Sequence, residues 1–511
     1  MFNVKTVALV MASVALATPA AAQKAKDTLR VAVTQPVQLV DNYYGGGGEA
    51  NSMIRMAFDG LVNYDILKKE YTPSVAESWK QVDPSTMEFK IRSDIKFTDG
   101  SPLTMEDVIY TFQFMIDPNA KYRFQDTRSD WLGGVEQVGD WTIRVHAKEP
   151  MAVMLGKLTQ VPTILPKHVH ANLEKKEFFG KAPVGTGPYR IVSLDDAAGV
   201  VMVRNPDYKL ASAGKPAGLI ENIRIAPVPD MQTQVARMLR GEQDMMYGVD
   251  RDIADSLASN PDFSVQAQDT VSFHFMQFDA NGRSGSKLFT DKRVREAVAH
   301  AIDQNELRKL LPEEIAKLGP LNTVCSPLLK YCDSSVPLPN YDPAKAKALL
   351  AEAGYPNGFD LSLLAWGTGK EAAETVAGML RKVGIRASVE TATFAVFAKK
   401  RIDGVPAIVT LWDNSVGQPD INNTAEYYYL TNVRSYAEDP VLNQMVLDAR
   451  KELDSDRRAA IYKAMFNRSN EEVYDIPLKR IPSIVVHRKE IKLMPGASDP
   501  LGFEFNRIGW N

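Results

Sequence analysis

The chain has little of the material from which metal centres, redox clusters and disulfide scaffolds are built. Its 511 residues include two cysteines and six histidines, too few for zinc arrays, iron–sulfur clusters or a disulfide framework. Basic charge is not in excess either, since 60 Lys and Arg stand against 63 Asp and Glu. We therefore expect no nucleic-acid partner and no cofactor.

An apolar run of about 18 residues, the length of a membrane-spanning helix, is absent. A shorter run at residues 7–17 follows Lys5, and Ala20 and Ala22 come just before Gln23. This order is typical of a secretory signal peptide covering residues 1–22, with a buried N-terminal helix as the alternative. No Cys follows the cut to carry a lipid anchor, so we expect a soluble periplasmic protein.

Both cysteines, Cys325 and Cys332, lie in one loop-like stretch between predicted helices. In an oxidising compartment two cysteines this close in sequence are expected to form a disulfide. A loop of this length contributes about 2.5 kcal/mol in the chain-entropy model, so the bond would fix a loop rather than the fold. The spacing differs from that of a redox-active C-x-x-C motif.

Signatures of catalysis are absent or isolated. Neither G-x-S-x-G nor H-E-x-x-H occurs, and Ser212 with Lys215 matches S-x-x-K without a K-T-G partner. His168 and His170 have the spacing that would place both imidazoles on one face of a strand, but the further ligands of a zinc site are missing. We therefore predict that the protein is not an enzyme. An exported hydrolase, the alternative from another class, would need a nucleophile–base pair.

Local patterns predict a mixed α/β protein. Residues 28–33 alternate as a strand, Thr104 is placed to cap a helix running to about Met115, and Gly241 is placed to end another helix. Strands and helices then intermix to the C-terminus without a short-period repeat.

Short motifs occur in a fixed order through nearly the whole chain after residue 22. They are Ala76-Glu-Ser-Trp-Lys80, Phe97-Thr-Asp-Gly100, Gly185-Thr-Gly-Pro-Tyr189, Asn205-Pro-Asp-Tyr208, Gly241-Glu-Gln-Asp244, Val294-Arg-Glu-Ala297 and Asp342-Pro-Ala-Lys-Ala-Lys-Ala-Leu-Leu-Ala-Glu-Ala-Gly-Tyr-Pro-Asn-Gly-Phe359. Their order and spacing resemble those of the periplasmic solute-binding proteins of the peptide/nickel class, family 5, of ABC transporters.

The resemblance implies a periplasmic-binding-protein type II fold, in which two lobes joined by a hinge close on a solute and an extra domain lies beside the first lobe. Carried onto this chain, the first lobe covers residues 23–50, 165–270 and 483–511. The extra domain covers residues 51–164 and the second lobe covers residues 271–482. The hinge is expected where the chain crosses between the lobes.

The solute site is expected at a tryptophan loop in the second lobe. In peptide-binding relatives this loop reads roughly Trp-x-x-Asp-Tyr, and its Asp pairs with the peptide α-amino group. Trp412 fits the aromatic position, but Ser415 stands where the carboxylate should be. Asp413 or Asp420 could replace it if the loop is rearranged.

Further aromatic residues are candidates for the solute site, with core packing as the alternative for each. Trp366 lies between a predicted strand and a helix, where cleft-facing residues of an α/β lobe are common. Tyr427 lies shortly after the tryptophan loop. Tyr43 and Tyr44 precede a run of four glycines, which either lets backbone approach a ligand closely or forms a flexible turn.

The resemblance implies a monomeric receptor that delivers an organic solute, above all an oligopeptide or dipeptide, to an inner-membrane ABC permease. An oligosaccharide or sugar conjugate is the alternative, favoured by Ser415 in place of the expected Asp. Nickel or a nickel chelate comes third, because the histidines are few and the tryptophan loop contains none.

Overall fold

The computed structural model describes residues 27–45, 49–65, 67–123, 125–159, 161–212, 214–412, 419–430, 434–499 and 502–511. The predicted signal peptide, Asp413 and Ser415 lie outside the described residues. Within the described residues, no helix combines the length and the apolar character needed to cross a membrane.

A seven-stranded mixed sheet forms the centre of the first lobe. In spatial order its strands are Phe263–Gln268, Ser483–Arg488, Met245–Tyr247, Thr28–Val33, Asn222–Pro227, Gly199–Arg204 and Tyr189–Asp195. Thr28–Val33, which has the bounds predicted from its alternation, runs parallel to both of its neighbours, and the other pairs are antiparallel. Segments far apart in sequence therefore build one sheet.

A five-stranded sheet forms the centre of the second lobe. Its spatial order is Arg386–Ala392, Asp360–Trp366, Ala407–Trp412, Phe273–Phe278 and Asp475–Arg480. The first three strands are mutually parallel, and Phe273–Phe278 pairs antiparallel with both neighbours. Every residue of Phe273–Phe278 is buried, as expected for a central strand covered on both faces.

An antiparallel four-stranded sheet and three two-stranded ribbons complete the strands. The sheet has the order Ala76–Asp83, Thr86–Ile91, Thr142–Ala147 and Leu132–Gly139. The ribbons pair Val62–Asp65 with Glu70–Pro73, Ile491–Leu493 with Ile508–Trp510, and Ser498–Asp499 with Gly502–Phe503. The four-stranded sheet lies within the range expected for the extra domain.

Helices connect and cover the sheets. The α-helices are Glu49–Ala57, Met105–Ile116, Gln125–Arg128, Met154–Lys157, Lys167–His170, Met231–Arg240, Arg251–Ala258, Lys292–Ala301, Gln304–Arg308, Glu313–Ala316, Pro343–Glu352, Gly369–Lys382, Phe394–Asp403, Asn422–Tyr429, Pro440–Lys451 and Ser455–Glu472. Short 3₁₀ segments are Lys176–Lys181, Leu288–Thr290 and Phe505–Arg507.

Local chemistry sets several helix ends where the sequence predicts them. Thr104 and Asp107 form a reciprocal capping box at the start of Met105–Ile116, which satisfies two backbone N–H groups that a helix start leaves unpaired. Gly241 ends Met231–Arg240 with a φ of 75°, a left-handed conformation that glycine adopts without steric cost.

The apolar core joins the first lobe to the extra domain but not to the second lobe. One continuous cluster contains Leu29 of the seven-stranded sheet, Phe89 of the four-stranded sheet and Met154 beyond it. The second lobe packs around separate clusters, which contain Met276 and Phe275. The first lobe and the extra domain therefore form one packed body, and the second lobe forms another.

Helix Glu49–Ala57 crosses the boundary expected between residues 50 and 51. Its buried face, which includes Met53 and Met56, packs against first-lobe strand Tyr189–Asp195 and against Gly502–Phe503. The helix thus spans the expected boundary, and its contacts are with first-lobe strands.

Two short crossings connect the sheets of the lobes. Residues 269–272 lead from Phe263–Gln268 into Phe273–Phe278, and residues 481–482 return from the second lobe to Ser483–Arg488. The crossings are bound to each other: Ile481 N donates to Ser272 O at 2.9 Å, and Thr270 Oγ1 donates to Ile481 O at 2.6 Å. This pair of adjacent segments is where a hinge between the two bodies would lie.

Candidate functional site

A polar pocket with a volume of about 50 Å³ lies between the first lobe and the extra domain, and Tyr64 in its wall is close enough to Asp420 of the second lobe for that charge to raise its pKa. We call it the boundary pocket. It is lined by Asn42, Asn51, Ile54, Arg55, Phe58, Asp59, Gly60, Asn63, Tyr64, Thr159, Thr163, Gly214, Lys215 and Glu504. Helix Glu49–Ala57 and ribbon strand Val62–Asp65 supply many of these residues, so one local segment builds much of the wall.

Close backbone approach shapes the wall at Gly60. A Cβ atom at this position would lie 2.9 Å from Thr159 O and 3.1 Å from Leu158 O. Only glycine lets these two chain segments meet without displacement.

Two donors at the boundary pocket have no hydrogen-bond partner among the described residues: Asn63 Nδ2 and Tyr64 Oη. The Tyr64 side chain is buried, with 8% of the residue exposed. Its ring makes an edge contact with Tyr71, at 5.2 Å between centroids, and burial followed by the Asp420 charge raises its pKa. Buried donors without partners are uncommon in proteins and favour a site for water or for a polar ligand group.

Ion pairs neutralise the carboxylates of the boundary pocket. Asp59 accepts hydrogen bonds from Lys215 Nζ at 2.8 Å and Thr186 Oγ1 at 2.9 Å. Glu504 pairs with Arg55 and with Arg507. Although burial raises the pKa of Glu504, the two arginines lower it below its ordinary value. Both acids are therefore already satisfied without a ligand cation.

On the second-lobe side, Asp420 is held in a buried ion pair. Its carboxylate lies 2.8 Å from Arg458 Nη2, and each side chain is 4% exposed. Asp420 also accepts from the backbone N–H of Asn422 at 2.8 Å. The expectation that Asp420 could replace the missing carboxylate of the tryptophan loop is therefore corrected, because Arg458 already occupies it.

Direct contacts join the two bodies beside the boundary pocket, and we call this region the interlobe boundary. Lys69 Nζ donates to Pro327 O at 3.0 Å, and the N–H of Ala152 donates to Arg450 O at 2.8 Å. Two ion pairs, Lys157 with Glu426 and Glu149 with Lys451, cross the same boundary at 3.4 and 3.0 Å. The structure thus has the lobes in contact.

The disulfide loop supports this boundary from the second lobe. Cys325 and Cys332 are bonded, with 5.9 Å between their Cα atoms, so the predicted pairing is present in the structure. The loop that they close contains Pro327, the acceptor of Lys69, and Lys330, whose N–H donates to Pro419 O at 2.9 Å. Fixing this loop therefore fixes the chain just before Asp420.

The two predicted tryptophans lie at the carboxyl ends of parallel strands in the second lobe. Trp366 ends Asp360–Trp366 and Trp412 ends Ala407–Trp412, an edge where α/β sheets commonly bind ligands. Trp366 is half-buried against Phe394 and Phe397, with centroid distances of 5.0 and 6.0 Å. Its ring is thus packed within its own lobe, whereas the Trp412 side chain lies outside the described atoms.

The predicted tyrosines lie at different places, and none of them lines the boundary pocket. Tyr43 is fully buried and donates to Thr163 O at 3.0 Å, so the core alternative describes it. Tyr44 donates to Ala120 O at 2.6 Å and lines an open groove elsewhere. Tyr427 is half-buried beneath Arg434, at 4.3 Å from its ring centroid.

Sequence reasoning missed the residues of this region that now stand out: Asn63, Tyr64, Lys157 and Glu426. Their roles depend on contacts between segments far apart in the chain, and no local motif marks them. The dipeptide Asp59-Gly60, which lies in the pocket lining, is a turn-type pattern that could have drawn attention to the region. No cluster of potential metal ligands was found among the described residues.

Two lobes joined by two adjacent crossings, with a polar pocket in the first body on the side facing Asp420, are typical of the solute-receptor class. The chain belongs to the bacterial extracellular solute-binding proteins, family 5, whose model matches residues 70–433. Members of this family are periplasmic transport receptors of ABC importers and not enzymes. The predicted family, fold and non-enzymatic role are thereby confirmed.

Individual relatives cover nearly the whole chain. The glutathione-binding protein GsiB of Escherichia coli K12 is 26% identical over 503 residues, which is 94% of each chain. The periplasmic binding protein DppA of Helicobacter pylori, solved with the peptide STSA, has a TM-score of 0.78 at 21% identity, with coverage of 94% and 98%. MoaA of A. tumefaciens R10, solved with mannopinic acid, has a TM-score of 0.76 at 21% identity, with coverage of 95% and 100%.

Proposed function

We propose that the protein binds short peptides in the periplasm and delivers them to an inner-membrane ABC permease. In this proposal the signal peptide, residues 1–22, is removed and the receptor acts as a monomer. Residues 271–482 form the moving lobe. The remaining lobe, with helix Glu49–Ala57 included, and the extra domain form the body against which the moving lobe closes.

One observation carries the proposal: the boundary pocket contains two buried donors, Asn63 Nδ2 and Tyr64 Oη, without partners among the described residues. A peptide presents carbonyl and carboxylate oxygens that accept such hydrogen bonds. An apolar ligand would leave both donors unpaired at a cost of about 1–3 kcal/mol each. Because Tyr64 faces Asp420 of the second lobe, closing of that lobe over the pocket would shield these bonds from water.

Relatives support peptides as the solute class. GsiB is named for glutathione, a tripeptide, and the DppA structure contains a tetrapeptide. In our proposal the tryptophan loop supplies the remaining contacts, with Trp412 packing on the solute and Asp413 and Ser415 offering polar groups. Trp366, which ends the strand paired with Ala407–Trp412, and Tyr427 in helix Asn422–Tyr429 are the further candidates.

A sugar conjugate with acidic groups is the second candidate, and the pairing of Asp420 with Arg458 favours it. Asp59, Glu504 and Asp420 each have a cationic partner. None of these three acids is therefore placed to receive a peptide ammonium group. The mannopinic acid complex of MoaA shows such a conjugate bound in a relative of this fold.

Native mass spectrometry and calorimetry separate the two candidates. Protein purified gently from the periplasm is examined for a retained mass, and stripped protein is titrated with glutathione, the peptide STSA and mannopinic acid. Peptide binding with a micromolar or tighter Kd is the expected result. Binding of mannopinic acid alone would replace the first candidate by the second, and turnover of any bound compound would contradict both.

A further inference from the structure

A buried ionic contact crosses from the extra domain to the second lobe. Lys157 Nζ lies 3.4 Å from Glu426 Oε2, and the two side chains are 6% and 17% exposed. Arg450 Nη1 lies 3.6 Å from Oε1, the other oxygen of the same carboxylate. Glu426 is thus held between one cation of its own lobe and one cation of the opposite body.

The two sides of this contact belong to different apolar cores. Met154 and Leu158, which flank Lys157, are part of the cluster that unites the first lobe with the extra domain. Ala425 and Ala449, next to Glu426 and Arg450, are part of a second-lobe cluster. Opening of the lobes would therefore separate Lys157 from Glu426 while leaving Glu426 beside Arg450.

The environment favours the charged form of the Glu426 carboxyl. Burial raises the pKa of Glu426, but the charges of Lys157 and Arg450 lower it by more than burial raises it. The pKa therefore lies below its ordinary value. In the closed arrangement, removing one member of this buried pair leaves the other desolvated without it, which is far more costly than loss of an exposed pair. Opening would separate Lys157 from Glu426 and expose it to water, while Asp130 of its own body, whose pKa is raised by burial and partly lowered again by the Lys157 charge, stays near it.

We infer that Lys157 and Glu426 are affinity-determining residues of the receptor that act without touching the solute, by stabilising the closed arrangement of the lobes. The inference rests on the proposed function, in which the lobes close on a solute. A solute whose binding needs the closed state loses apparent affinity in proportion to the fraction of closed protein. The loss should be seen mainly as faster dissociation, because closing retains the solute.

Flanking contacts agree with this role. Glu149 pairs with Lys451 at 3.0 Å, and the backbone bond from Ala152 to Arg450 lies between the two ion pairs. The segment from residue 149 to residue 157 thus contacts the C-terminal end of helix Pro440–Lys451 and, at Glu426, helix Asn422–Tyr429. The exposed Glu149–Lys451 pair should contribute little by comparison.

Spin-label distances test the inference without a solute. Labels at the exposed positions Gln137 and Lys347, on the extra domain and the second lobe, report the separation of the two bodies. The Lys157→Met variant should lose most of the short-distance population seen in the otherwise unchanged protein. Lys463→Met, which removes an ion pair with Asp333 inside the second lobe, is the matched control and should leave the distances unchanged.

Solute affinity provides the second readout, with glutathione and the peptide STSA as probes. Lys157→Met and Glu426→Gln should each weaken binding about tenfold, and the double variant should lose less than the product of the two. Lys157→Arg, which keeps the charge, should bind within a factor of about three of the original protein, so that general misfolding is distinguishable.

Three results would overturn the inference. The first is a short-distance population that stays the same in Lys157→Met. The second is an unmodified protein that shows no short-distance population. The third is a double variant whose loss of affinity equals the product of the losses in Lys157→Met and Glu426→Gln. If neither peptide binds, the proposed function fails, but the spin-label distances still decide whether the ion pair holds the lobes together.

Discussion

Tyr64 is a single buried side chain whose hydroxyl is able to donate a hydrogen bond to a ligand. Its hydroxyl is buried at the boundary pocket without a partner among the described residues, whereas the hydroxyl of Tyr189 donates to Ile220 O at 2.8 Å. A folded protein gains nothing from a buried unpaired hydroxyl, because its desolvation is not offset. Solute binding would supply the missing acceptor.

Replacing Tyr64 by Phe should therefore separate affinity from stability. We expect solute affinity to fall about tenfold, while the melting temperature stays the same or rises, because an unpaired buried hydroxyl is removed. Tyr189→Phe is the matched control and should lower stability by about 1 kcal/mol with unchanged affinity. Calorimetric titration and thermal melts on the same samples measure both effects. Unchanged affinity in Tyr64→Phe would remove this residue from the solute site.

For helices and strands, the sequence predicts those features that depend on residues close together in the chain. Thr104 and Gly241 set helix ends through contacts within a few residues, and Thr28–Val33 shows its strand by alternation alone. Lys157 and Glu426 are 269 residues apart, so neither helix pattern nor motif links them. Contacts between lobes depend on the packing of the whole chain, which local patterns do not encode.

Local sequence patterns also do not reveal which candidate site residues come together in the folded chain, and several of them lie apart in the structure. Trp366 is correctly placed between a strand and a helix, but its ring packs on Phe394 and Phe397, which follow a different strand. Tyr43 belongs to the core because Phe114 and Tyr122 surround it. An aromatic residue in sequence does not reveal whether its neighbours in space are a ligand or other side chains.

The disulfide loop is the element whose removal should affect both stability and binding. Changing Cys325 and Cys332 together to Ser should lower the free energy of unfolding by about 2.5 kcal/mol, because the unfolded chain gains loop freedom. Affinity should fall several-fold, since the loop holds the acceptor of Lys69 and the chain before Asp420. Denaturant titration and calorimetry measure the two effects. Loss of stability with full affinity would show that the loop does not support the interlobe boundary.

At the scale of the whole molecule, the division of the apolar core decides which parts move together. The first lobe and the extra domain share one cluster, and the second lobe has its own. Two crossings, bound to each other by Thr270 and Ile481, are the covalent links between the sheets of the two lobes among the described residues. This arrangement permits rotation about the crossings while each core stays packed.

Small-angle X-ray scattering measures directly whether the receptor closes on its solute. Protein that retains its solute is compared with the same preparation stripped by mild denaturation and refolding, and then with the stripped sample after the extracted solute is returned. We expect a larger radius of gyration after stripping and a return to the smaller value on re-addition. An identical radius of gyration in all three samples would contradict this expectation.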